Sequence, residues 1–331
     1  MFENKSLLNT NWKLKEYDER LVLSISQKKN ISFLLSKLLF LRGITFEKFD
    51  SYLETSIINN FPNPFLLIDM EQAIERVLIG LQNNQSFGII ADYDVDGSTS
   101  ATILYKFLKI FTSKISLKIP HRLNEGYGPN IRIMDEMKEE KINVIFTLDC
   151  GTTAFNILDN KNYKNIDVIV IDHHLSEPFL PKVHSIINPN RFDEKNNYNE
   201  MAAVGVTFLF LMGLRKKMRE LNLFPKIKEP NLISYLDLVA LGTVCDVVEL
   251  KEYNRLFVKK GLEIIKKREN KNISKIFDNS KNNSTPTSSD LGFIIGPQLN
   301  AASRIDDSSL SANFLITNDI NKIESISKKL F

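Results

Sequence analysis

The chain has 331 residues, of which 43% are hydrophobic and 25% charged, and its 43 basic and 40 acidic side chains leave a net charge of +3. This is the composition of an ordinary globular protein of roughly two domains, and its charge balance neither requires nor excludes nucleic acid. No apolar run is long enough for a membrane span, and the N-terminal residues lack the apolar segment of a signal peptide.

Residues 1–84 are predicted to form an N-terminal helical segment. Apolar residues recur at helical spacing in ISFLLSKLLF, residues 31–40, and in MEQAIERVLIGL, residues 70–81. Two prolines in NNFPNPF, residues 59–65, interrupt the pattern and predict a break between these helices.

Residues 85–250 are predicted to form an α/β domain, with a parallel β-sheet flanked by helices. Short apolar segments of strand character alternate with helical ones in the order SFGIIA, TSATILYKFLKIF, ISLKIP, IRIMDEMKEEK, NVIFTLD, TTAFNILDN and DVIVID. Alternation of this kind predicts a parallel sheet that is covered on both faces. In such sheets, ligands bind beyond the carboxyl ends of the strands.

From about residue 202 the sequence is mostly helical, in AVGVTFLFLMGLRKKMREL, NLISYLDLVALGTV and NRLFVKKGLEIIKKR. We interpret residues 251–331 as a helical extension that begins the connection to a further C-terminal domain. Within it, DNSKNNSTPTSSD, residues 278–290, is predicted to be a mobile loop. The chain stops within a predicted helix, DINKIESISKKLF, so we expect the natural protein to continue.

The two cysteines, Cys150 and Cys245, form no C-x-x-C pair. This usage is typical of a reducing compartment, and we therefore expect a cytoplasmic protein. We expect both to be small buried residues within strands.

Three aspartates at alternate positions, Asp92, Asp94 and Asp96, precede a glycine in IIADYDVDGSTSA, residues 89–101. The same pattern begins an EF-hand calcium loop, but Ile103 stands where that loop needs a bidentate carboxylate, and a strand precedes the motif instead of a helix. A solvated acidic turn is the other plain interpretation, although carboxylates this close repel unless a cation neutralises them. The stretch therefore predicts a strand end that delivers carboxylates to a metal.

Acidic and histidine residues follow three of the predicted strands, namely Asp92 with Asp94, then Asp149, and then Asp172, His173 and His174. Because the carboxyl ends of parallel strands lie at one edge of a sheet, we expect these side chains to converge. Asp246, which follows LDLVALGTVC, is a further candidate.

The plain alternative for one aspartate after a strand is a helix cap or turn residue, and Asp149 alone could be either. The adjacent pair His173 and His174 is harder to explain in this way, since the chain has only four histidines. A mixture of carboxylates and imidazoles suits Mn²⁺ or Mg²⁺, with Mn²⁺ favoured. Zinc is less favoured because no thiolate ligands accompany the set.

The motifs DYDVDG, LDCG, IDHH and ALGTVCDVVEL resemble, in order, the four metal-binding motifs of the DHH phosphoesterases. The flanking stretches PFLLIDMEQAIERV, IPHRLNEGYG, AAVGVTFLF, EYNRLFVKKGL and GPQLNAASRIDD are similar to the RecJ branch, the 5′→3′ exonucleases specific for single-stranded DNA. The resemblance covers about residues 61–307. It implies two divalent cations about 3.5–4 Å apart that activate a water and stabilise the attacking and leaving oxygens together.

Carried over by position, the resemblance implies a specific set of metal ligands. Asp92 would bind the first cation, Asp94 would bind the second, and Asp149 would bridge them. His173 and Asp246 would complete the second site.

The resemblance also implies roles for three neighbours of these ligands. His174 would face the scissile phosphate, whereas Asp96 and Asp172 would orient the ligands without binding metal themselves. Many family members have a further histidine ligand two residues before the first motif aspartate, where this chain has Ile90. We therefore expect a weaker first metal site.

Arg122, Asn300 and Arg304 are implied to hold the phosphates of the substrate, since the planar fork of arginine matches phosphate oxygens. A surface ion pair is the plain alternative for either arginine. Gln298 stands where the family pattern usually has arginine, and Ser303 where it has glycine. The basic runs at residues 215–219, 259–260 and 266–268 favour a DNA-tracking surface only weakly, because such runs are usually solvated helix faces.

The implied function is a two-metal 5′→3′ exonuclease that releases 5′-mononucleotides from single-stranded DNA in repair and recombination. Its implied partners are single-stranded DNA with a 5′ end, a single-strand-binding protein and a helicase, with no membrane. RecJ-type enzymes continue into a DHH-associated domain and an OB-fold, and neither is recognisable in this sequence.

Two alternatives remain at this point. A DHH phosphodiesterase could act on short oligonucleotides or cyclic dinucleotides with the same chemistry. A non-catalytic relative could serve as a replication scaffold, but such relatives tend to lose metal ligands, and five of the six expected positions are intact here.

Overall fold

The computed structural model describes residues 8, 10–53, 61–224, 228–280, 285–305 and 307–330, except for the side chains of Ser51, Arg304 and Ile305. The described residues up to Leu53 form one compact unit, and those from Phe61 onward form a second. Among these residues, no helix combines the length and the apolar character needed to cross a membrane.

In its described residues, the N-terminal unit contains three α-helices, α1 (Glu19–Lys29), α2 (Phe33–Leu41) and α3 (Phe49–Leu53). The side chain of Asp18 caps α1 by accepting from the N–H of Leu21, and Ser32 caps α2 in the same way. Ile25, Leu39 and Phe49 form the centre of a small core of this unit. The predicted helical character of the described part of this segment is confirmed.

The second unit is built on five parallel strands in the order β2-β1-β3-β4-β5. The strands are β1 (Phe87–Ala91), β2 (Ile115–Lys118), β3 (Val144–Leu148), β4 (Asp167–Ile171) and β5 (Ser185–Ile187). All four neighbouring pairs are parallel. The predicted parallel sheet is therefore confirmed, whereas β5 was not predicted because three residues are too few to show a pattern.

Twelve helices of this unit surround or extend the sheet within the described residues. They are α4 (Met70–Gln82), α5 (Val95–Leu108), α6 (Ile131–Glu139), α7 (Phe155–Leu158), α8 (Ala203–Glu220), α9 (Leu236–Cys245), α10 (Glu252–Lys266), α11 (Lys271–Asn279), α12 (Ser288–Asp290), α13 (Gly296–Ile305), α14 (Leu310–Ile316) and α15 (Ile320–Leu330). A π-helical segment, Leu291–Ile295, joins α12 to α13. The sequence did not predict α11, α13 and α14 as individual helices. The predicted loop over residues 278–290 overlaps the end of α11 and the whole of α12, and residues 281–284 lie outside the described part.

Both faces of the sheet are covered, as predicted. Alternate strand residues such as Ile89, Phe146 and Ile169 belong to a large core that also includes residues of α4, α5, α8, α9 and the C-terminal helices. The opposite face, with Ile145 and Val170, packs against α6 and α7 in a smaller core. The segment boundaries after residues 84 and 250 remain a prediction.

The predicted location of both cysteines in strands was wrong. Cys150 is buried but lies just beyond β3, and Cys245 is half-buried as the last residue of α9. Each directly neighbours an aspartate at the end of its element, so the pattern of the surrounding apolar residues did not reveal where the element stops.

Candidate metal centre

Three aspartates lie side by side at the carboxyl edge of the sheet. Each is the first residue after a strand, and each donates its backbone N–H to the last residue of the neighbouring strand: Asp92 to Leu148 at 3.1 Å, Asp149 to Ile171 at 3.0 Å, and Asp172 to Ile187 at 3.1 Å. The hydrogen-bond ladder thus continues one residue beyond the strands. This register places residues that are distant in sequence at one edge, as predicted.

The predicted metal ligands form three overlapping groups together with Asp96 and His174, which were not predicted to bind metal. In each group, one potential ligand atom per residue lies within 4.8 Å of the others; the groups are Asp92 with Asp94 and Asp149, Asp149 with His173 and His174, and Asp96 with His173 and Asp246. Asp149 belongs to two groups, and so does His173, which makes the three groups one continuous site.

The imidazole of His173 lies at the centre of this site. Its Nε2 atom is 3.3 Å from Oδ1 of Asp149, 3.5 Å from Oδ2 of Asp246 and 4.0 Å from Oδ2 of Asp96. Burial lowers the pKa of His173 most strongly, and the neighbouring His174 lowers it further. A neutral imidazole surrounded by carboxylates is the form that binds a divalent cation.

Several buried ligand atoms of the site have no hydrogen-bond partner among the described residues. They are Oδ1 of Asp92, Oδ1 of Asp149, Nε2 of His173 and Oδ2 of Asp246. Burying a polar atom without a partner is costly, and native structures contain few such atoms. Because these four atoms also point into one cluster, the residues present fit a divalent cation bound by oxygen and imidazole nitrogen.

The pKa values of the carboxyl groups also favour a cation at this site. Burial, with the neighbouring Asp94, raises the pKa of Asp92 to about 7 and that of Asp246 to about 7. Burial and like charges hold the pKa of Asp149 well above its ordinary value. A bound cation would reverse these shifts by favouring the ionised forms.

Asp94 lies at the N-terminus of one helix, and Asp246 lies at the C-terminus of another. Asp94 caps the N-terminus of α5, where its Oδ1 accepts from the N–H of Gly97 at 2.9 Å. Asp246 follows the C-terminus of α9, and the chain then turns through Val247, whose φ of 62° is rare for a β-branched residue. A carboxylate at a helix C-terminus is unfavourable without a nearby positive charge, so the position of Asp246 also favours a cation.

Asp96 is bound on its other side to the start of α8. Its two carboxylate oxygens accept from the backbone N–H groups of Ala203 at 2.6 Å and Val204 at 2.8 Å. A side chain at Gly242 would place its Cβ 3.0 Å from Asp96 and 2.4 Å from Thr99, so α9 approaches this carboxylate closely only because residue 242 is glycine. Asp96 therefore anchors the start of α8 and lies against α9, and its role in orienting ligands stays a prediction.

Asp172 orients both histidines. Its Oδ1 accepts from the N–H of His173 at 2.8 Å and contacts Nδ1 of His174 at 2.8 Å, while Oδ2 accepts from the N–H of Thr152 at 3.1 Å. Burial alone would raise the pKa of Asp172, but these hydrogen bonds lower it to about 2. The hydrogen bond between Asp172 and the His174 imidazole also raises the pKa of His174. The side chain of His174 is 49% exposed, which leaves it accessible to a substrate.

Two asparagines that the sequence did not single out hold the segment containing these histidines. Asn188 donates through Nδ2 to the carbonyl oxygen of His174 at 2.8 Å, and Asn190 donates through Nδ2 to that of His173 at 2.5 Å. Both follow the unpredicted strand β5, so recognising that strand in HSIINPN was the missing signal.

Arg122 lies beside the acidic motif. Its guanidinium is 5.0 Å from the centre of the Tyr93 ring, and Tyr93 stands between two ligand candidates in the chain. The backbone N–H of Arg122 donates to Oγ of Ser308 at 3.1 Å, which fastens this loop to the residues that follow α13. A cation over an aromatic ring remains available for an anionic ligand.

Of the other two predicted substrate-binding residues, Asn300 and Arg304, the structure describes the side chain of Asn300 only. Asn300 lies on α13, and its Oδ1 atom is buried without a hydrogen-bond partner among the described residues, as is Oε1 of Gln298. The side chain of Arg304 lies outside the described residues. Ile90 is buried in the core between the sheet and α6, and thus contributes no ligand.

The basic run at residues 215–219 forms ion pairs on the surface. Arg219 contacts Glu229, and Nζ of Lys217 lies 2.8 Å from Oε1 of Glu71. These pairs support the plain interpretation of this run as a solvated helix face.

Comparison with known proteins gives three findings. Residues 86–243 match the DHH family, N-terminal domain. The chain is 35% identical over 281 residues to the single-stranded-DNA-specific exonuclease RecJ of Haemophilus influenzae, covering 81% of this chain and 47% of that protein. It is 28% identical over 321 residues to the protein of the same name in Bacillus subtilis, covering 96% of this chain and 39% of that protein.

A solved structure is similar as well. The crystal structure of exonuclease RecJ bound to manganese has a TM-score of 0.70 and 27% identity, covering 80% of this chain and 65% of that one. The chain spans about half the length of the curated relatives it matches.

Proposed function

Because residues 86–243 belong to the DHH family, we propose that this chain is the catalytic part of a metal-dependent 5′→3′ exonuclease that hydrolyses single-stranded DNA to 5′-mononucleotides. The observation that carries this proposal is the group of buried, unpartnered ligand atoms on Asp92, Asp149, His173 and Asp246. The substrate is proposed from the similarity to the RecJ proteins, which are named as exonucleases specific for single-stranded DNA.

The proposed ligand set uses two overlapping sites. As the resemblance implies, Asp92 would hold one divalent cation, Asp94, His173 and Asp246 would hold the other, and Asp149 would contact both. Asp149 shares one group with Asp92 and another with His173, whereas Asp94 is grouped among the described residues with Asp92 and Asp149, and not with His173 and Asp246. Mn²⁺ is the favoured ion and Mg²⁺ the second choice, because imidazole accompanies the carboxylates. When bound, such ions supply a nucleophilic water at neutral pH and neutralise charge that develops on phosphate oxygens.

The residues around these ligands have separate proposed roles. Asp172 holds Nδ1 of His174, so that Nε2 of His174 is free to contact the scissile phosphate. Asp96 keeps α8 and α9 in place behind the ligands. Arg122 would bind a phosphate of the DNA, supported by its position over Tyr93 beside the site.

Asn300 and Arg304 are proposed as further phosphate contacts. The proposal for Asn300 is supported by its Oδ1 atom, which is buried without a hydrogen-bond partner among the described residues. For Arg304 the proposal rests on its place in the sequence motif alone.

The setting of the reaction is also proposed from the family resemblance. A single-strand-binding protein and a helicase are proposed partners, and DNA repair and recombination are the proposed processes. A cytoplasmic location is proposed because Cys150 and Cys245 are both free thiols.

The experiment that tests this function measures mononucleotide release from 5′-phosphorylated single-stranded DNA and from the matching duplex in Mn²⁺. We expect release from the single strand to exceed release from the duplex, and Asp149→Ala to reduce it by at least about 100-fold. Glu139→Ala, an exposed change on α6, is the matched control and should leave the rate unchanged.

Two results would count against the proposal. Equal rates for Asp149→Ala and the unsubstituted chain would show that cleavage does not depend on this site. No release from DNA, together with Mn²⁺-dependent cleavage of short oligonucleotides or cyclic dinucleotides, would instead favour a DHH phosphodiesterase of another substrate class.

A further inference from the structure

The loop between β2 and α6 brings a tyrosine to the metal centre. Tyr127 is flanked by Gly126 and Gly128, whose φ values of 77° and 79° are left-handed conformations that favour glycine. The loop is fastened at Glu125, which accepts from the N–H of His121 at 2.6 Å and contacts the guanidinium of Arg132. The position of Tyr127 is therefore set by a loop that is tied down at its base.

The hydroxyl of Tyr127 contacts two residues of the site. It donates to the backbone carbonyl oxygen of Asp149 at 2.5 Å and lies 3.1 Å from Nδ1 of His174. The two rings meet edge to face, with their centres 5.6 Å apart. Tyr127 thus contacts the backbone of a proposed bridging ligand and the imidazole proposed to face the phosphate.

These contacts determine which nitrogen of His174 carries the proton. The single proton of the Tyr127 hydroxyl is directed to Asp149, so the hydroxyl oxygen faces His174 as an acceptor. The carboxylate of Asp172, 2.8 Å from the same Nδ1, is also an acceptor. Both contacts are satisfied only when Nδ1 of His174 is protonated. Nε2 is then the ring nitrogen left for a ligand.

The contact with Asp149 has a separate effect on the backbone. Asp149 has a φ of 59°, in the left-handed region that residues other than glycine adopt only when their surroundings hold them there. The hydrogen bond from Tyr127 fixes the peptide group of Asp149 without touching its carboxylate.

We propose that Tyr127 is a positioning residue whose hydroxyl holds His174 in the Nδ1-protonated form, with Nε2 toward the scissile phosphate, and holds the backbone of Asp149. This role deepens the proposed nuclease function and rests on it. Tyr127 itself makes no contact with the proposed ligand atoms. We therefore expect it to affect kcat and not the binding of Mn²⁺ or of the substrate.

The test compares Tyr127→Phe with Tyr163→Phe. Tyr163 is a suitable control because its hydroxyl also donates a hydrogen bond, to Oδ1 of Asp135 at 2.8 Å, but its ring belongs to the core of the sheet face that packs against α6 and α7. For Tyr127→Phe we expect kcat for a 5′-phosphorylated oligonucleotide in Mn²⁺ to fall about tenfold, with KM and the Kd for Mn²⁺ within about twofold of the unsubstituted chain. Tyr163→Phe should leave all three unchanged.

A second readout is independent of catalysis. The chain has four histidines, so the imidazole nitrogens of ¹⁵N-histidine-labelled protein are few enough to assign. Tyr127→Phe should shift the Nδ1 resonance of His174 and leave that of His184 in place, whereas Tyr163→Phe should shift neither. An unshifted His174 resonance, or an unchanged kcat in Tyr127→Phe, would overturn the proposal.

The two readouts separate this inference from the proposed function. If the unsubstituted chain cleaves no DNA, the nuclease proposal fails, and the His174 resonance still decides whether Tyr127 holds the imidazole. Equal loss of kcat in both tyrosine variants would reduce the effect to general destabilisation and overturn the specific role.

Discussion

The carboxylate of Asp96 accepts a hydrogen bond of 2.6 Å from the backbone N–H of Ala203, although 107 residues separate the two in the chain. The acidic motif that follows β1 is thereby fastened to the N-terminus of α8. The exposed N–H groups and partial positive charge of this helix N-terminus favour the carboxylate, and they partly offset burial and the like charges of Asp246 and Asp94, which raise the pKa of Asp96. The third aspartate of the motif thus fastens α8, and it also lies in one candidate ligand group with His173 and Asp246.

Asp96→Asn is expected to destabilise the folded chain. The asparagine amide has one acceptor oxygen in place of two, so one of the N–H groups of Ala203 and Val204 would lose its partner or face an NH₂ group. We expect the free energy of unfolding in EDTA to fall by about 2 kcal/mol, measured by urea denaturation. An unchanged urea midpoint would contradict the anchoring role.

Asp149→Asn is expected to have the opposite effect on the metal-free chain. Burial and neighbouring carboxylates raise the pKa of Asp149, so its ionised form is disfavoured without a cation, and the amide removes that penalty. We expect the melting temperature in EDTA to rise by about 2 °C and the further rise on adding Mn²⁺ to be largely lost. A variant that melts earlier in EDTA but still responds to Mn²⁺ would contradict this role.

The stability of the chain is expected to depend on pH through Asp92 and Asp246, whose pKa values are raised to about 7. A carboxyl group with a raised pKa stabilises the folded state fully below its ordinary pKa of about 4, and this contribution is lost as pH rises through about 7. In EDTA, the contribution of these groups therefore makes the chain more stable at pH 6 than at pH 8.

Mn²⁺ should reverse that trend because it binds the ionised carboxylates. The rise in melting temperature on adding Mn²⁺ should accordingly be larger at pH 8 than at pH 6. Thermal melts with and without EDTA at the two pH values measure this directly, and a larger rise at pH 6 would show that these two groups do not bind the ion.

Arg122→Gln is expected to weaken DNA binding without affecting Mn²⁺. The guanidinium lies over Tyr93 and contacts none of the proposed ligands, so its loss removes one phosphate contact only. We expect KM to rise about tenfold and the slope of log KM against log salt to fall by about one. Arg219→Gln, at an arginine paired with Glu229, is the control and should leave both quantities unchanged. Equal effects of the two substitutions would show only a loss of overall charge.

The sequence predicted those parts of the site that follow long apolar strands. Asp92, Asp149 and Asp172 come directly after strands of five residues that are almost entirely buried, so both the strand and its end are visible in the sequence. In contrast, β5 has three residues, and the asparagines that follow it acquire their role only through contacts with the histidine segment.

Contacts between residues that are far apart in the chain could not be predicted from the sequence, for a different reason. Nothing near Tyr127 indicates that its hydroxyl would contact Asp149, and nothing near Asp96 indicates α8, because both contacts are set by the packing of whole elements. Local periodicity predicts elements, whereas the side chains that orient ligands depend on how those elements meet.

The most direct test of the metal centre is a crystal structure of the chain grown in Mn²⁺, with anomalous scattering recorded at the manganese edge. We predict two anomalous peaks, one contacted by Asp92 and Asp149 and the other by Asp94, Asp149, His173 and Asp246. Peaks bound by other residues, or none at this edge of the sheet at saturating Mn²⁺, would contradict the account.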